Sequence, residues 1–347
     1  MKRIITLVLI FSFCFGVGIG SSIAQTAKQQ TIELKLTHHD PTTSFVHKEG
    51  FVKWAKLISD KTNGKVKVTI FPSESLAKAR DAYDVVMEGG VADISWGAIG
   101  LFPGRFPLSE VIALPMLGVE SGIVGSKIIQ ELYNTTPAIQ KEYPKVKHLI
   151  AFSTTDFPVG LRSKNVQKME DMKGLRIRVS TKPFIAYMKA IGAEPIVLPP
   201  PEMYESLQRG VLDGCSIDWH GFYGYKLPEV VKYILDAKIC VVPFFIIMNE
   251  KTWNGLPPDV RKTLEEVSGM FGAEFFGRSF QAAKDPAIEL AKKRKVEITK
   301  LSKEEQARWQ KAAEPVWEEW IKANEEKGSP AREVFEKTRQ LVKKYSQ

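Results

Sequence analysis

Along the first part of the chain, apolar positions switch between a period of two and a period near 3.6. Ile32 to Thr37 reads as a strand, Phe45 to Lys61 as an amphipathic helix, Lys65 to Phe71 as a strand, Ala77 to Met87 as a helix and Ala92 to Ser95 as a strand. Such alternation predicts βαβ units, an α/β fold and a mostly parallel sheet. A second alternating block runs from about Phe157 to Asp236, and Gly104 to Tyr143 between the blocks is rich in helix formers. Val241 to Met248 is a long apolar strand, long enough to pass between two lobes. Beyond Asn249 the pattern is almost wholly helical, and Trp309, Trp317 and Trp320 in that region are read as core contacts.

The N-terminus has a different pattern. Lys2 and Arg3 precede an apolar run from Ile4 to about Gly20, and Ser22-Ile-Ala24 offers small residues for a signal peptidase. The run is short for a membrane span. Residues 1–24 are therefore read as a signal peptide cleaved after Ala24, and the rest as an exported chain without an anchor. Cleavage lowers the net charge from +9 to +7. The lysines are scattered, and Lys292-Lys-Arg-Lys295 sits among glutamates, so the basic balance is read as solvated helix surface rather than a nucleic-acid footprint.

The remaining chain is longer than one domain usually needs, so two lobes are expected. Cys215 and Cys240, the cysteines left after cleavage, are too few for a disulfide framework and are read as buried thiols or a single bridge. Catalytic and metal signatures are missing: there is no glycine-rich phosphate loop, no Gly-x-Ser-x-Gly and no His-Glu-x-x-His. No cofactor and no metal are expected. Of the histidines, His38, His39 and His220 fall at strand ends and are candidates to line a cleft, whereas His47 and His148 are read as helix-face and loop residues.

The strongest candidate for binding is Arg178, which closes the strand in Asp171-Met-Lys-Gly-Leu-Arg-Ile-Arg-Val179. Open α/β sheets bind ligands outside the carboxyl ends of their strands. A guanidinium there offers a rigid fork of donors that can engage both oxygens of a carboxylate. Arg176 is read as a surface residue outside the pocket. By the same strand-end logic Trp96 and the Asp218-Trp219-His220 turn face the cleft. Phe152 flanks the crossing between lobes, and at most one of Phe244 and Phe245 can see a ligand, because consecutive strand residues point to opposite faces.

These pieces resemble the solute-binding subunits of TRAP transporters, the DctP type. The likeness is carried by Lys-Gly-Leu-Arg-Ile-Arg178, Gly192-Ala-Glu-Pro195, Glu202-x-Tyr204-x-x-Leu207-Gln208-x-Gly210-x-x-Asp213-Gly214 and Asn249-x-x-x-Trp253-x-x-Leu256-Pro257. Thr62-Asn-Gly64, Phe71-Pro72 and Gly90-Val-Ala-Asp93 support it. The resemblance implies a two-lobed periplasmic binding protein of type II-like fold with a long C-terminal helical region. Lobe I would span 25–154 plus about 244–285, and lobe II 155–243 plus about 286–347. It further implies a non-catalytic monomeric receptor that clamps an organic acid through Arg178 and hands it to membrane permease subunits. A receptor that signals instead of delivering has the same sequence signature.

The chain departs from the sialic-acid branch of that family. Pro158 stands at the position of that branch's second arginine, with Arg162 four residues along, and Cys215-Ser-Ile-Asp-Trp219 replaces a polar run. A sugar acid is disfavoured, and the aromatic residues favour a monocarboxylate with an apolar or aromatic body. For a C4-dicarboxylate, Arg162, Arg105 or His39 would have to supply the second cation.

Overall fold

The computed structural model describes residues 31–198 and 200–346; residues 1–24, read from the sequence as a signal peptide, lie outside the described residues. Among the described residues eleven strands form two sheets. They are β1 (Ile32–Thr37), β2 (Val66–Phe71), β3 (Ile94–Ala98), β4 (Val146–Ser153), β5 (Val159–Leu161), β6 (Arg176–Val179), β7 (Glu194–Val197), β8 (Gly214–Ser216), β9 (Tyr233–Leu235), β10 (Pro243–Asn249) and β11 (Glu297–Thr299). The first sheet has the order β2-β1-β3-β10-β4 and the second β11-β9-β5-β8-β6-β7. Each carries helices, so the chain forms two lobes.

The sheets are mixed rather than simply parallel, and the exceptions follow one rule. In the first sheet only β10 is reversed, antiparallel to β3 and β4. In the second only β5 is reversed, antiparallel to β8 and β9. These are the two strands by which the chain enters one lobe from the other. β4 and β9 both end at the carboxyl edge of their sheets, so a strand that crosses directly to the other lobe must start at its carboxyl edge and run backwards.

The crossings are paired with each other. Thr154 N–H donates to the Val242 carbonyl at 3.1 Å, Val242 N–H to Thr154 Oγ1 at 2.9 Å, and Phe157 N–H to the Cys240 carbonyl at 2.9 Å. A third connection runs through the helix Gly269–Gln281, which packs on β4, into the helix Lys284–Lys293, which packs on the second lobe's Trp219–Gly224. At the C-terminus, Lys303–Glu325 packs on the helix Lys182–Ala190 of the second lobe, whereas Ala331–Tyr345 packs on Gly122–Thr135 of the first. Trp309, Trp317 and Trp320 are buried in these contacts; Trp317 Nε1 donates to the Pro115 carbonyl at 2.8 Å. Among the described residues no helix is long and apolar enough to cross a membrane.

Strand alternation sorts the aromatic residues of the first lobe. Phe245 pairs with Gly97, and a Cβ on Gly97 would stand 2.3 Å from the Phe245 ring, so the glycine is required for the ring to lie over β3. Phe245 thus joins Tyr83, Phe102, Phe106 and Tyr143 on one face. Trp96 and Phe244, one residue along on each strand, meet on the other face with ring centroids 4.9 Å apart.

Candidate functional site

The carboxyl edges of the two sheets meet across a closed cleft. β1 leads into His38-His39-Asp40, β3 contributes Trp96, β6 contributes Arg178, and β8 leads to Asp218 and the short helix Trp219–Gly224. Closure brings Gly100 of the first lobe against Thr181 of the second, at 3.2 Å from where a Gly100 Cβ would stand. It also stacks Phe45 edge-on to Tyr223, with centroids 5.3 Å apart.

Arg178 lies inside this cleft with only 4% of its surface exposed. Its Nε donates to the Leu198 carbonyl at 3.0 Å and its Nη1 to the Ser216 carbonyl at 3.2 Å. These bonds fix the guanidinium and leave Nη2 without a protein partner among the described residues. No carboxylate among them forms an ion pair with it. Burial pulls the pKa of Arg178 down from its ordinary value, opposed by Cys215, Tyr225 and Asp218 nearby. A cation taken out of water without a counter-charge is costly, and a ligand carboxylate would supply the missing partner.

Aromatic rings occupy the first-lobe side. His39 stacks on Trp96 with centroids 4.2 Å apart and planes 11° from parallel. Behind them Phe152, Phe244 and Phe280 pack against Trp96. His220, from the second lobe, lies 4.9 Å from the Phe280 ring. Its Nε2 sits 3.3 Å from Asp40 Oδ2, so Asp40 and His220 face each other across the lobe boundary. Burial lowers the pKa of His39 and outweighs the raising effects of Asp40 and Glu74, which keeps this ring neutral.

Asp218 is buried and caps the helix after it, with Oδ1 accepting from Gly221 N–H at 2.7 Å. Burial pushes its pKa from 3.8 to about 6, against the lowering effects of His220, the Gly221 N–H and Arg178. Because the folded pKa lies above the unfolded one, the folded state binds more protons between about pH 4 and 6, and stability is lost as pH rises through that window. Asp218→Asn should therefore melt higher than the parent above pH 6, with the difference shrinking to nothing near pH 4. Thermal melts of both proteins across pH 4 to 8 check this; a constant difference at every pH would refute it.

Several residues singled out in the sequence are placed elsewhere. Arg162 is not in the cleft: β5 runs away from the carboxyl edge, so Arg162, just past its end, bonds the Asp213 carbonyl at the start of β8. Pro158 stands at the cleft end of β5 instead, its carbonyl accepting from Ser216 Oγ at 2.8 Å. Arg176 shares the face of Arg178 but lies two residues back from the edge, held by Asp213 through both carboxylate oxygens at 2.9 Å. Trp219 is fully buried, and its Nε1 donates to Asp156 Oδ2 at 3.3 Å; its position in a buried helical turn makes it core rather than cleft wall. Phe152 belongs to the aromatic cluster and is itself fully buried behind Trp96. His148 is in β4, stacked on Tyr133 with centroids 3.7 Å apart, rather than in a loop. His47 accepts or donates at 2.9 Å to His38 Nε2.

Asp40, Phe280 and Tyr225 are cleft residues that strand-end reasoning did not single out. Asp40 had a signal, since it follows His39 at the end of β1. Phe280 had none, because it sits on a helix distant in sequence. Cys215 and Cys240 are buried free thiols. Among the described residues no group of three or more His, Cys, Asp or Glu is placed to hold a metal ion.

Comparison with known proteins agrees with this arrangement. Residues 36–324 match the DctP family, the bacterial extracellular solute-binding proteins of family 7. The C4-dicarboxylate-binding periplasmic protein DctP of Rhodobacter capsulatus is 28% identical over 228 residues, 63% of this chain and 66% of that protein. A TRAP solute-binding protein of an unidentified marine microbe, specific for aromatic acid ligands and bound to metahydroxyphenylacetate, superposes with a TM-score of 0.85. It is 25% identical, over 91% of this chain and 100% of that one. A TRAP periplasmic solute-binding protein of Desulfovibrio salexigens, in an open complex, has a TM-score of 0.82 and 28% identity over 90% of this chain and 96% of its own. With a family match across most of its length and a fold shared with TRAP receptors, this chain belongs to the DctP family of bacterial extracellular solute-binding proteins, which bind solutes rather than transform them.

Proposed function

We propose that this protein is the periplasmic receptor of a TRAP-type uptake system and that its cargo is a monocarboxylate with an aromatic body. The observation that carries the reading is Arg178: a buried guanidinium with no counter-ion among the described residues, across a cleft from stacked rings. Its fork suits one carboxylate, and the flat faces of His39 and Trp96 suit an aromatic ring. The marine relative of the same fold takes aromatic acids. The apolar segment and the small-residue site Ser22-Ile-Ala24 support export, and the match to the DctP family supports delivery to permease subunits.

The charge pattern opposes a dicarboxylate. Of the three groups offered as a second cation, Arg162 is at the wrong end of its sheet. Arg105 is engaged by Asp84 at 2.7 Å and lies 3.7 Å over the Tyr83 ring, and His39 is held neutral. Asp40 and Asp218, both near the cleft, are acidic and would repel a second carboxylate.

The test is a thermal-shift screen of the chain without residues 1–24 against aromatic monocarboxylates, aliphatic 2-oxo acids and C4-dicarboxylates. At about 100 times its Kd a ligand should stabilise by about 2.7 kcal/mol, a shift of several degrees. Benzoate-type acids should give the largest shifts. Succinate or malate outperforming every aromatic acid would overturn the substrate reading.

A further inference from the structure

The closed cleft gives no route to Arg178, which is 4% exposed, so the lobes must part for a ligand to enter or leave. Among the contacts that hold them shut, a polar one and an aromatic one come from the same pair of segments. On the second lobe both partners belong to the helix Trp219–Gly224. Trp219, Gly221 and Phe222 are buried into that lobe, which leaves His220 and Tyr223, one turn apart, on the face turned to the first lobe. Their partners, Asp40 and Phe45, lie between β1 and the helix Val46–Val52. His220 Nε2 stands 3.3 Å from Asp40 Oδ2, and the Tyr223 ring meets the Phe45 ring edge-on with centroids 5.3 Å apart. Each segment is also held within its own lobe. The Asp40 carbonyl accepts from Ser73 N–H, just after β2, at 3.0 Å, and Asp218 caps the helix through Gly221 N–H at 2.7 Å.

The carboxylate makes the polar contact one-sided. With the lobes apart, the oxygen of Asp40 that faces the second lobe meets water. With the lobes shut, Asp40 is 7% exposed and His220 takes the place of that water. A buried ion pair adds little when it forms, because desolvation offsets the attraction, but removing one partner leaves a buried charge uncompensated. Loss of His220 therefore penalises the closed state alone. His39, 3.7 Å from the other oxygen of Asp40, belongs to the same lobe and stays with it on opening, so it does not separate the two states. The Phe45–Tyr223 stack adds an aromatic contact that is likewise made only on closure.

Resting on the receptor reading above, we infer that Asp40–His220 and Phe45–Tyr223 form a latch that sets how long a ligand is retained and takes no part in choosing it. Arg178 recognises the carboxylate, and the latch holds the lobes over it.

Stopped-flow mixing followed by tryptophan fluorescence, with benzoate as the probe, measures kon and koff. His220→Phe should raise koff about tenfold or more and leave kon within about threefold, because association begins in the open form. Asp40→Asn alone should change koff by about threefold or less, since the amide is uncharged and still pairs with the imidazole. Adding Asp40→Asn to His220→Phe should bring koff back to within about threefold of the parent, the buried charge having gone. Tyr223→Ala, at an exposed position, should raise koff about three- to tenfold with kon again unmoved. Side chains that touched the ligand would give the opposite order: Asp40→Asn would carry a large loss by itself and the double variant would be the worst. A His220→Phe protein that releases benzoate at the parent rate, or a double variant that releases it no more slowly than His220→Phe, overturns the latch and leaves the aromatic-acid reading standing. Should benzoate fail to bind while succinate binds, the aromatic-acid reading falls and the same comparisons made with succinate decide the latch; should neither bind, both fall.

Discussion

Arg178→Met is expected to abolish carboxylate binding while leaving the ligand-free fold almost as stable as before. In the closed cleft the ligand carboxylate would be left buried opposite a thioether. Removing one partner of a buried, hydrogen-bonded ion pair costs about 3–5 kcal/mol, roughly two to three and a half powers of ten in Kd. The unliganded protein responds differently. The substitution removes two hydrogen bonds, to the carbonyls of Leu198 and Ser216, worth about 1 kcal/mol each. It also removes a buried cation that no carboxylate neutralises. These effects oppose each other, so the ligand-free Tm should stay within about 3 °C. Arg178→Lys should lie between, because an ammonium keeps the charge and loses the fork. Calorimetry and melting curves decide the matter: a methionine variant that binds within tenfold of the parent would remove Arg178 from its role.

The largest loss of stability is expected from Lys284→Met, away from the ligand. Lys284 Nζ donates to Asp156 Oδ1 at 2.9 Å, and Asp156 is fully buried. Asp156 also accepts from Trp219 Nε1 on its other oxygen. Asp156 lies in the first crossing between lobes and Lys284 begins the helix Lys284–Lys293, so the pair ties the first connection to the third and, through Trp219, to the second lobe. Burial raises the pKa of neighbouring Asp236, and Asp156 raises it further, so an uncompensated Asp156 would burden its surroundings. Stripping a buried carboxylate of its cation should cost about 3–5 kcal/mol, roughly a 5–10 °C fall in Tm for a chain of this size. Adding Asp156→Asn to Lys284→Met should recover part of the loss, since the amide carries no charge and still accepts from Trp219. A single variant melting with the parent protein, or a double variant worse than the single, would show that the pair is not carrying this weight.

The residues that mattered differ in how openly they could be read. Arg178 was legible because its position depends on local order: a short strand, a known direction, and a ligand edge at its carboxyl end. The positions of Trp96 on β3 and His39 just after β1 were legible for the same reason, whereas His220 lies on the helix Trp219–Gly224. Arg162 misled because its strand is the reversed one, and reversal is a property of how the chain crosses between lobes. Trp219 misled because a strand-end position does not say whether the following turn faces the cleft or folds under it. Asp156 and Lys284 stood 128 residues apart with nothing local to join them.

Sequence alone determined the alternation of strands and helices, the need for two lobes, and the cationic strand end that a carboxylate can answer, because each is set by neighbours within a few positions along the chain. Tertiary structure alone decided which polar groups meet across the closed cleft. Asp40 and His220 lie on different lobes, and Phe280 reaches Trp96 from a helix far along the chain. Their contact depends on lobe closure and on the reversed strands β5 and β10, which no local periodicity records.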